Sequence, residues 1–184
     1  MRKLKLQVQM TVDGFIAGPN GEMDWTAINW DDKLKLYVNE ITEPVDCIVL
    51  GRKLAQGFIP HWASNPQEEG ADKFNNTLRV VFTKTLDKTE WGNAVLAKGD
   101  LVDEITKLKK QDGKDIIAYG GATFVSALIK NGLIDEFHFF INPVAIGKGM
   151  TIFKELGSQQ NLTLIKSTAF DCGIVVLNYK LKRN

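Results

Sequence analysis

Short apolar runs alternate with amphipathic helical patterns through the middle of the chain, and this alternation is the strongest constraint on the fold. Apolar runs predict buried strands, the third of them weak, at residues 45–50, 78–83, 94–97, 115–119 and 137–141. Helical spacing of apolar residues predicts helices at residues 34–41, 101–108 and 122–130. Because strands that alternate with helices form βαβ units, this pattern predicts a mostly parallel sheet.

The two ends of the chain predict further strands. Leu4, Leu6 and Val8 alternate with polar residues in the period of two that is typical of a strand. At the other end, residues 162–170 and 174–181 predict an antiparallel hairpin that adds two strands to one edge of the sheet. The sequence therefore predicts an α/β fold that closes with an antiparallel pair.

One segment stands apart by its composition. Residues 61–76 are polar and contain Pro66 and Gly70, so we expect the least ordered part of the chain there. Because a core strand follows at once, this segment is expected to be an exposed excursion and not a linker between domains. A length of 184 residues suits one hydrophobic core, and a single domain over residues 1–184 is the expectation.

Charge and composition exclude several classes of function. The chain has 23 basic and 22 acidic side chains, so it has no bulk basic surplus for binding nucleic acid or an acidic membrane. No apolar run reaches the roughly 20 residues of a membrane span. Cys47 and Cys172 lie far apart, which excludes zinc sites built on paired cysteines. We expect a cytoplasmic protein whose partner is a small-molecule substrate.

Three predicted junctions between a strand and the following segment carry residues suited to phosphate. They are Gly51-Arg52-Lys53, Thr83-Lys84 and Gly120-Gly121. Ligands of open α/β sheets bind at the carboxyl ends of the strands. Glycines there allow a phosphate to approach the backbone, and a helix N-terminus supplies free N–H groups. The GxGxxG and GxxxxGK[ST] motifs are both absent, so the sequence indicates a phosphorylated cofactor bound in another way.

Three motifs, in order along the chain, resemble those of one superfamily. They are Thr-Val-Asp-Gly-Phe-Ile-Ala at residues 11–17 with Asp24-Trp25 downstream, Val-Leu-Gly-Arg at 49–52, and Tyr-Gly-Gly-Ala-Thr-Phe at 119–124. The chain resembles the dihydrofolate-reductase-like superfamily, and within it the reductase domain of the bifunctional deaminase–reductase of riboflavin biosynthesis. The resemblance implies a central, mostly parallel sheet of about eight strands with a C-terminal antiparallel hairpin and helices on both faces. It also implies NADPH as hydride donor and a homodimer.

The resemblance also assigns cofactor-binding residues, position by position. The residues bordering the nicotinamide would be Thr11, Ile16 and Ala17. Gly51 and Arg52 would approach the cofactor phosphates, and Thr83 and Lys84 would face the adenosine 2′-phosphate. The glycine-rich turn and the start of the next helix would cradle the pyrophosphate through Gly120, Gly121, Ala122 and Thr123. Tyr119 of the same motif is also assigned to the cofactor site. Position 123 is a threonine where the folate enzymes carry a cation, so part of the phosphate recognition must come from elsewhere.

Four residues are candidates for a catalytic role. Asp13, Asp24 and Trp25 lie in the loop that should border the substrate, although Asp13-Gly14 also fits a turn pair and Trp25 an anchor of the loop. Asp32 lies near the position of the pterin-binding carboxylate of the folate enzymes, offset by an insertion after Trp25. Asp31 is expected to be an N-cap, and Asp32 remains open between the two roles.

The function that the resemblance implies is NADPH-dependent delivery of hydride to a C=O or C=N carbon. The nearest family precedent is a 5-amino-6-(5-phosphoribosylamino)uracil reductase of riboflavin biosynthesis. The HxE and PCxxC zinc motifs of the deaminase half are absent, and His138 in an apolar strand is expected to be a packed side chain. Two alternatives stay open. One is a dihydrofolate or pterin reductase, which needs a buried carboxylate facing the pocket, and the other is a non-catalytic nucleotide-binding module.

Overall fold

The computed structural model describes residues 1–27 and 29–182, and its centre is one eight-stranded sheet. The strands are β1 (Leu4–Thr11), β2 (Val45–Gly51), β3 (Leu78–Phe82), β4 (Ala94–Ala97), β5 (Asp115–Ala118), β6 (Glu136–Asn142), β7 (Leu162–Ala169) and β8 (Val175–Leu181). Their spatial order is β4-β3-β2-β5-β1-β6-β8-β7. The first six are mutually parallel, and β7 and β8 form an antiparallel pair beside β6. The predicted sheet and closing hairpin are therefore confirmed.

Five helices cover the two faces of the sheet. They are α1 (Asp32–Thr42), α2 (Arg52–Ser64), α3 (Ala71–Asn76), α4 (Leu101–Lys110) and α5 (Ala122–Lys130). On one face, Leu4 and Leu6 of β1 pack with α4 and α5. On the other, α2 and α3 pack over β2, β3 and β5, whereas α1 packs over β6 and β8. No helix among the described residues is long and apolar enough to cross a bilayer.

The segment at residues 61–76 is largely exposed, as expected, but the expectation of low order is wrong because most of the segment is helical. The helix α2 runs from Arg52 to Ser64 with Pro60 inside it, and α3 occupies Ala71–Asn76. Tertiary packing overrides the weak local signal: Ile59 and Phe74 are buried against the sheet in one apolar cluster. The polar residues in the helical parts of the segment lie on the exposed faces of these helices, and the few apolar residues on the buried faces gave too weak a pattern to predict a helix.

The caps of the helices follow two different patterns. Asp31 caps α1, because its carboxylate accepts a hydrogen bond from the backbone N–H of Leu34, and Asp100 caps α4 in the same way. The N-cap residues of α2 and α5 are Gly51 and Gly121, and no described side chain forms a capping hydrogen bond at either helix. The predicted N-cap at Asp31 is confirmed, whereas α2, α5 and the six-residue α3, whose N-cap is Gly70, have no capping hydrogen bond from a described side chain.

Candidate active site

A strip of the sheet between the two helical groups is left uncovered, and a cavity of about 630 Å³ lies there. The central strand β1 lies under this strip, between β5 and β6. Its even-numbered residues face α4 and α5, so the alternation of a strand turns Gln7 and Gln9 toward the cavity. Residues from α1, α2 and α3 form the sides. The cavity thus exists because the helices of this face divide into two groups.

Aromatic side chains form much of the cavity wall. The lining includes five large rings, which are Trp30, Phe58, Trp62, Phe74 and Tyr119. Phe58 packs edge-to-face against three of the others, with centroid separations of 5.8 Å to Trp62, 5.2 Å to Phe74 and 6.0 Å to Tyr119. Burial raises the pKa of Tyr119, so its hydroxyl stays protonated. A wall of this kind suits a flat ring that stacks or meets ring edges.

Amide side chains form the polar part of the cavity floor. Asn142 donates from Nδ2 to Oε1 of Gln9 at 2.8 Å, and Asn142 Oδ1 accepts from the Ala27 N–H at 2.9 Å. Gln9 is therefore held in one orientation. Gln7 is 8% exposed, and its Oε1 has no hydrogen-bond partner among the described residues. An unpaired buried carbonyl costs about 1–3 kcal/mol, so Gln7 is a position where a ligand donor would be stabilising.

The charged residues that line the cavity are exposed, and each forms an ion pair or a hydrogen bond with another protein group. The ammonium of Lys73 donates to the backbone carbonyls of Glu43 and Val45, at 3.2 and 2.8 Å. Lys114 lies 3.7 Å from a carboxylate oxygen of Glu43. The other lining carboxylate, Glu69, lies 3.4 Å from Lys35. Among the described residues that line the cavity, none supplies a buried carboxylate.

Two of the helices with glycine N-caps, α2 and α5, begin at neighbouring strands. Strands β2 and β5 are paired in the sheet, and α2 and α5 start just beyond their carboxyl ends. A Cβ added at Gly51 would lie 2.8 Å from Cβ of Phe124 in the first turn of α5, so the starts of the two helices are in contact. Leu54 and Tyr119, close to both starts, line the cavity. Two positive dipole ends with free N–H groups therefore lie side by side at its edge.

The glycine turn before α5 leaves open space at the start of that helix. The peptide bond between Gly120 and Gly121 is cis, and Gly120 has a φ of 151°, which lies in the region that favours glycine. Gly121 has a φ of −69° and a ψ of 172°, which any residue can adopt. Apart from its two chain neighbours, no described residue has an atom within 4 Å of a Cβ built at Gly121. Open space in front of an uncapped helix start fits a pyrophosphate at the predicted turn.

The other predicted phosphate ligands are spread along the same edge of the sheet. Arg52, the first residue of α2, is half-buried and donates from Nη1 to Gln56 Oε1 at 3.1 Å. Thr83 is buried, and its hydroxyl accepts from the N–H groups of Thr85 and Leu86. Lys84 is exposed, with its ammonium 2.7 Å from the carbonyls of Lys98 and Gly99. An ammonium has three donors, so Lys84 keeps one for a ligand while its position is fixed.

The segment predicted to border the nicotinamide is anchored. Thr11, Ile16 and Ala17 are buried. Ile16 donates its N–H to Met150, and Ala17 accepts from Met150 in an isolated antiparallel bridge. Hydrogen bonds from Thr11 and from the N–H groups of Gly147 and Ile146 lower the pKa of Asp13. A carboxylate held ionised in this way anchors the loop and is a poor proton donor at neutral pH.

The remaining catalytic candidates lie outside the residues that line the cavity. Asp24 is exposed, and Asp32 is exposed in the first turn of α1. The positions of α1 that line the cavity are instead Val38, Asn39 and Thr42. Trp25 is half-buried, and its Nε1 has no hydrogen-bond partner among the described residues. The loop contributes Met23 and Trp30 to the lining.

Sequence reasoning missed the amides of the floor and a buried polar group beside α1. His138 is 1% exposed, so the expected packed side chain is confirmed. Its ring also contacts two polar side chains. Its Nδ1 lies 2.7 Å from the hydroxyl of Tyr37 and its Nε2 lies 3.2 Å from Glu136 Oε1. The hydrogen-bonding contact with His138 lowers the pKa of Glu136 to about 2, and burial raises that of Tyr37 to about 12. Polar residues in the central strands were the signal available for both features.

Comparison with known proteins gives a consistent assignment along the chain. The model of the RibD C-terminal domain family matches residues 2–176. The uncharacterised protein YyaP of Bacillus subtilis (strain 168) is 34% identical over 182 residues, which cover 97% of this chain and 94% of that protein.

Two solved structures show the same fold. The diaminohydroxyphosphoribosylaminopyrimidine deaminase/5-amino-6-(5-phosphoribosylamino)uracil reductase of Thermotoga maritima matches with a TM-score of 0.73 and 18% identity, over 98% of this chain and 57% of that one. Dihydrofolate reductase from Enterococcus faecalis, complexed with NADP(H), matches with a TM-score of 0.62 and 17% identity, over 98% and 97% of the two chains. The dihydrofolate-reductase-like fold expected from the motifs is confirmed.

Proposed function

The chain belongs to the RibD C-terminal domain family, and we propose on this basis that it is an NADPH-dependent reductase of a pyrimidine-type substrate. The related Thermotoga maritima enzyme carries a 5-amino-6-(5-phosphoribosylamino)uracil reductase activity in its name. The substrate proposed by analogy is a compound of that class, reduced at a C=O or C=N carbon. The proposal concerns the reductase reaction alone, because the zinc motifs of the deaminase are absent from this chain.

The observation that carries the cofactor part of the proposal is the pair of adjacent helix N-termini without side-chain caps. Elsewhere in this molecule, Asp31 and Asp100 cap their helices with carboxylates, which would repel a phosphate. At α2 and α5, glycines leave the N–H groups free, and the space at Gly121 is open. The residues that would hold NADPH are those of the glycine turn together with Arg52, Thr83 and Lys84.

When bound, NADPH would supply the hydride from its nicotinamide. The protein would contribute orientation and exclusion of water. Thr11, Ile16 and Ala17 are buried, and hydrogen bonds join Ile16 and Ala17 to Met150, so this segment would offer the nicotinamide a fixed surface. The aromatic wall reduces access of water to the reacting carbon. Neither contribution requires an ionisable residue at the cavity floor, where the structure has amides.

The charge of the cavity favours a pyrimidine substrate over a pterin. Pterin reduction of the folate type needs a buried carboxylate that faces the pocket. The described lining has its carboxylates at exposed positions, where Glu43 and Glu69 contact lysines. Asp32, the carboxylate candidate, is exposed and lies outside the lining residues. The dihydrofolate alternative is therefore the weaker one.

The test is an NADPH oxidation assay with both substrate classes. We expect loss of reduced-nicotinamide absorbance with 5-amino-6-(5-phosphoribosylamino)uracil or its dephosphorylated form, and a far slower rate with dihydrofolate. The reverse preference would contradict the proposal. If NADPH binds but neither substrate oxidises it, the result would instead support the non-catalytic nucleotide-binding alternative.

A further inference from the structure

Among the described residues that line the cavity, two have a buried polar atom without a hydrogen-bond partner. These atoms are the carbonyl oxygen of Gln7 and the indole N–H of Trp62. One is an acceptor and the other is a donor. Buried polar groups are paired in most folded proteins, and an exception calls for an explanation such as a ligand. A ligand donor would satisfy the oxygen of Gln7, and a ligand acceptor would satisfy the indole N–H of Trp62.

The orientation of the neighbouring amide supports the same conclusion. Gln9 Oε1 already accepts from Asn142 Nδ2, and Asn142 also accepts from and donates to backbone groups of Ala27 and Phe140. This network fixes Gln9 through its oxygen. Two positions along the same strand face, the Gln7 oxygen has no hydrogen-bond partner among the described residues.

The charges of the cavity lining favour an uncharged planar ring over a cationic one. The floor amides carry no charge, and the charged lining residues are exposed and paired with each other or with backbone carbonyls. A cationic ring would find no buried carboxylate among the described lining residues. A neutral ring stacked among Trp30, Phe58 and Trp62 would lose little hydration energy and gain contact area.

We infer that Gln7 is the residue that selects the substrate ring, by accepting a hydrogen bond from the N–H of an uncharged planar lactam or imide. The inference rests on the proposed function only in taking the cavity as the substrate site. Gln7 is then a specificity-determining residue on β1, and the aromatic wall fixes the plane of the ring that it contacts.

The test uses equilibrium binding of two probes in the absence of cofactor, followed by quenching of the tryptophan fluorescence and by calorimetry. The first probe is the neutral ring 5,6-diaminouracil, and the second is a 2,4-diaminopyrimidine, which binds protonated to carboxylates. Gln7→Met keeps the volume and removes the acceptor. It should weaken binding of 5,6-diaminouracil by about tenfold to a hundredfold. Gln159→Met, which removes an exposed amide bonded to Asn161, is the matched control and should leave binding unchanged.

A second variant gives a result that a purely structural role would not produce. Gln7→Glu keeps an acceptor at this position and adds a negative charge, so it should strengthen binding of the protonated 2,4-diaminopyrimidine by tenfold or more without a comparable gain for 5,6-diaminouracil. Both variants are first checked for an unchanged circular dichroism spectrum and thermal transition. Equal affinities of wild type and both variants for the two probes would overturn the inference.

The two proposals fail in different ways. If NADPH neither binds nor is oxidised while ring binding still depends on Gln7, the proposed function fails and the ring site stands. If NADPH binds and is oxidised with the pyrimidine substrate while Gln7→Met retains full affinity for 5,6-diaminouracil, the assignment of Gln7 fails and the proposed function stands.

Discussion

Gly121 is the position at which a single substitution should separate cofactor binding from folding. Its φ and ψ are open to all residues, and apart from its two chain neighbours an added Cβ meets no described residue within 4 Å. Substitution by alanine or valine should therefore change the free energy of unfolding by less than about 1 kcal/mol. The space that the new side chain occupies lies in front of the uncapped N–H groups of α5, where the pyrophosphate is proposed to bind.

The expected loss follows from the bonds that would no longer form. A hydrogen bond to a charged group contributes about 1.5–3 kcal/mol, so loss of one phosphate contact should weaken NADPH binding about tenfold to a hundredfold. Gly121→Val should lose at least that much, and Gly121→Ala less. The assay is a titration with NADPH that follows energy transfer from tryptophan to the nicotinamide, together with a thermal melt.

Two other glycines serve as controls. Gly57 lies in α2, and a Cβ there also meets nothing within 4 Å, so Gly57→Ala should raise stability by about 0.5–1 kcal/mol and leave NADPH affinity unchanged. Gly51→Ala would bring its Cβ within 2.8 Å of Phe124 and should destabilise the protein. The reasoning would be refuted if Gly121→Val bound NADPH as tightly as the wild type does.

Three further predictions concern other parts of the molecule. Arg52→Ala and Lys84→Ala should each weaken the binding of NADPH about tenfold to a hundredfold and the binding of NADH far less. Equal losses of affinity for the two cofactors in calorimetric titrations would refute a role in selecting the 2′-phosphate. The contact with His138 lowers the pKa of Glu136 to about 2, so its stabilisation is present above the ordinary pKa of a glutamate and is lost as the pH falls from about 4 toward 2. Glu136→Gln should flatten that part of the stability–pH curve in denaturant titrations, and an unchanged acid limb would contradict this origin. The expected homodimer is proposed to use β7, an edge strand on which Leu164 is 51% exposed. Leu164→Lys should then shift sedimentation from dimer to monomer without unfolding, whereas a wild-type monomer would contradict the proposal.

The sheet was predictable from sequence because its strands are continuous apolar runs or strict alternations. The runs at β2, β3 and β5 contain valine or isoleucine on both faces, as expected of strands covered by helices on both sides. The cap at Asp31 was predictable because a carboxylate before a helical pattern has few other roles. The start of α5 was predictable from Gly120-Gly121, since the turn directly follows an apolar strand.

Other features depend on contacts that no local pattern encodes. The helix α2 begins directly after β2 without a polar cap and contains Gly57 and Pro60, so its local signals are those of a loop. The polar residues of β1 fit an exposed strand face, yet Lys5 and Gln7 are buried. They are buried because β1 occupies a central place in the sheet and α1 and α2 lie on either side of it. Pairing order decides this, and pairing order is set by distant parts of the chain.

The most direct test of the account is a crystal structure of the protein with NADPH. The account predicts pyrophosphate oxygens within about 3 Å of backbone N–H groups at the starts of α2 and α5, with the nicotinamide beside Ala17 at the edge of the cavity. A cofactor bound anywhere else on the protein, with the glycine turn at Gly120-Gly121 free of phosphate, would contradict the central claim.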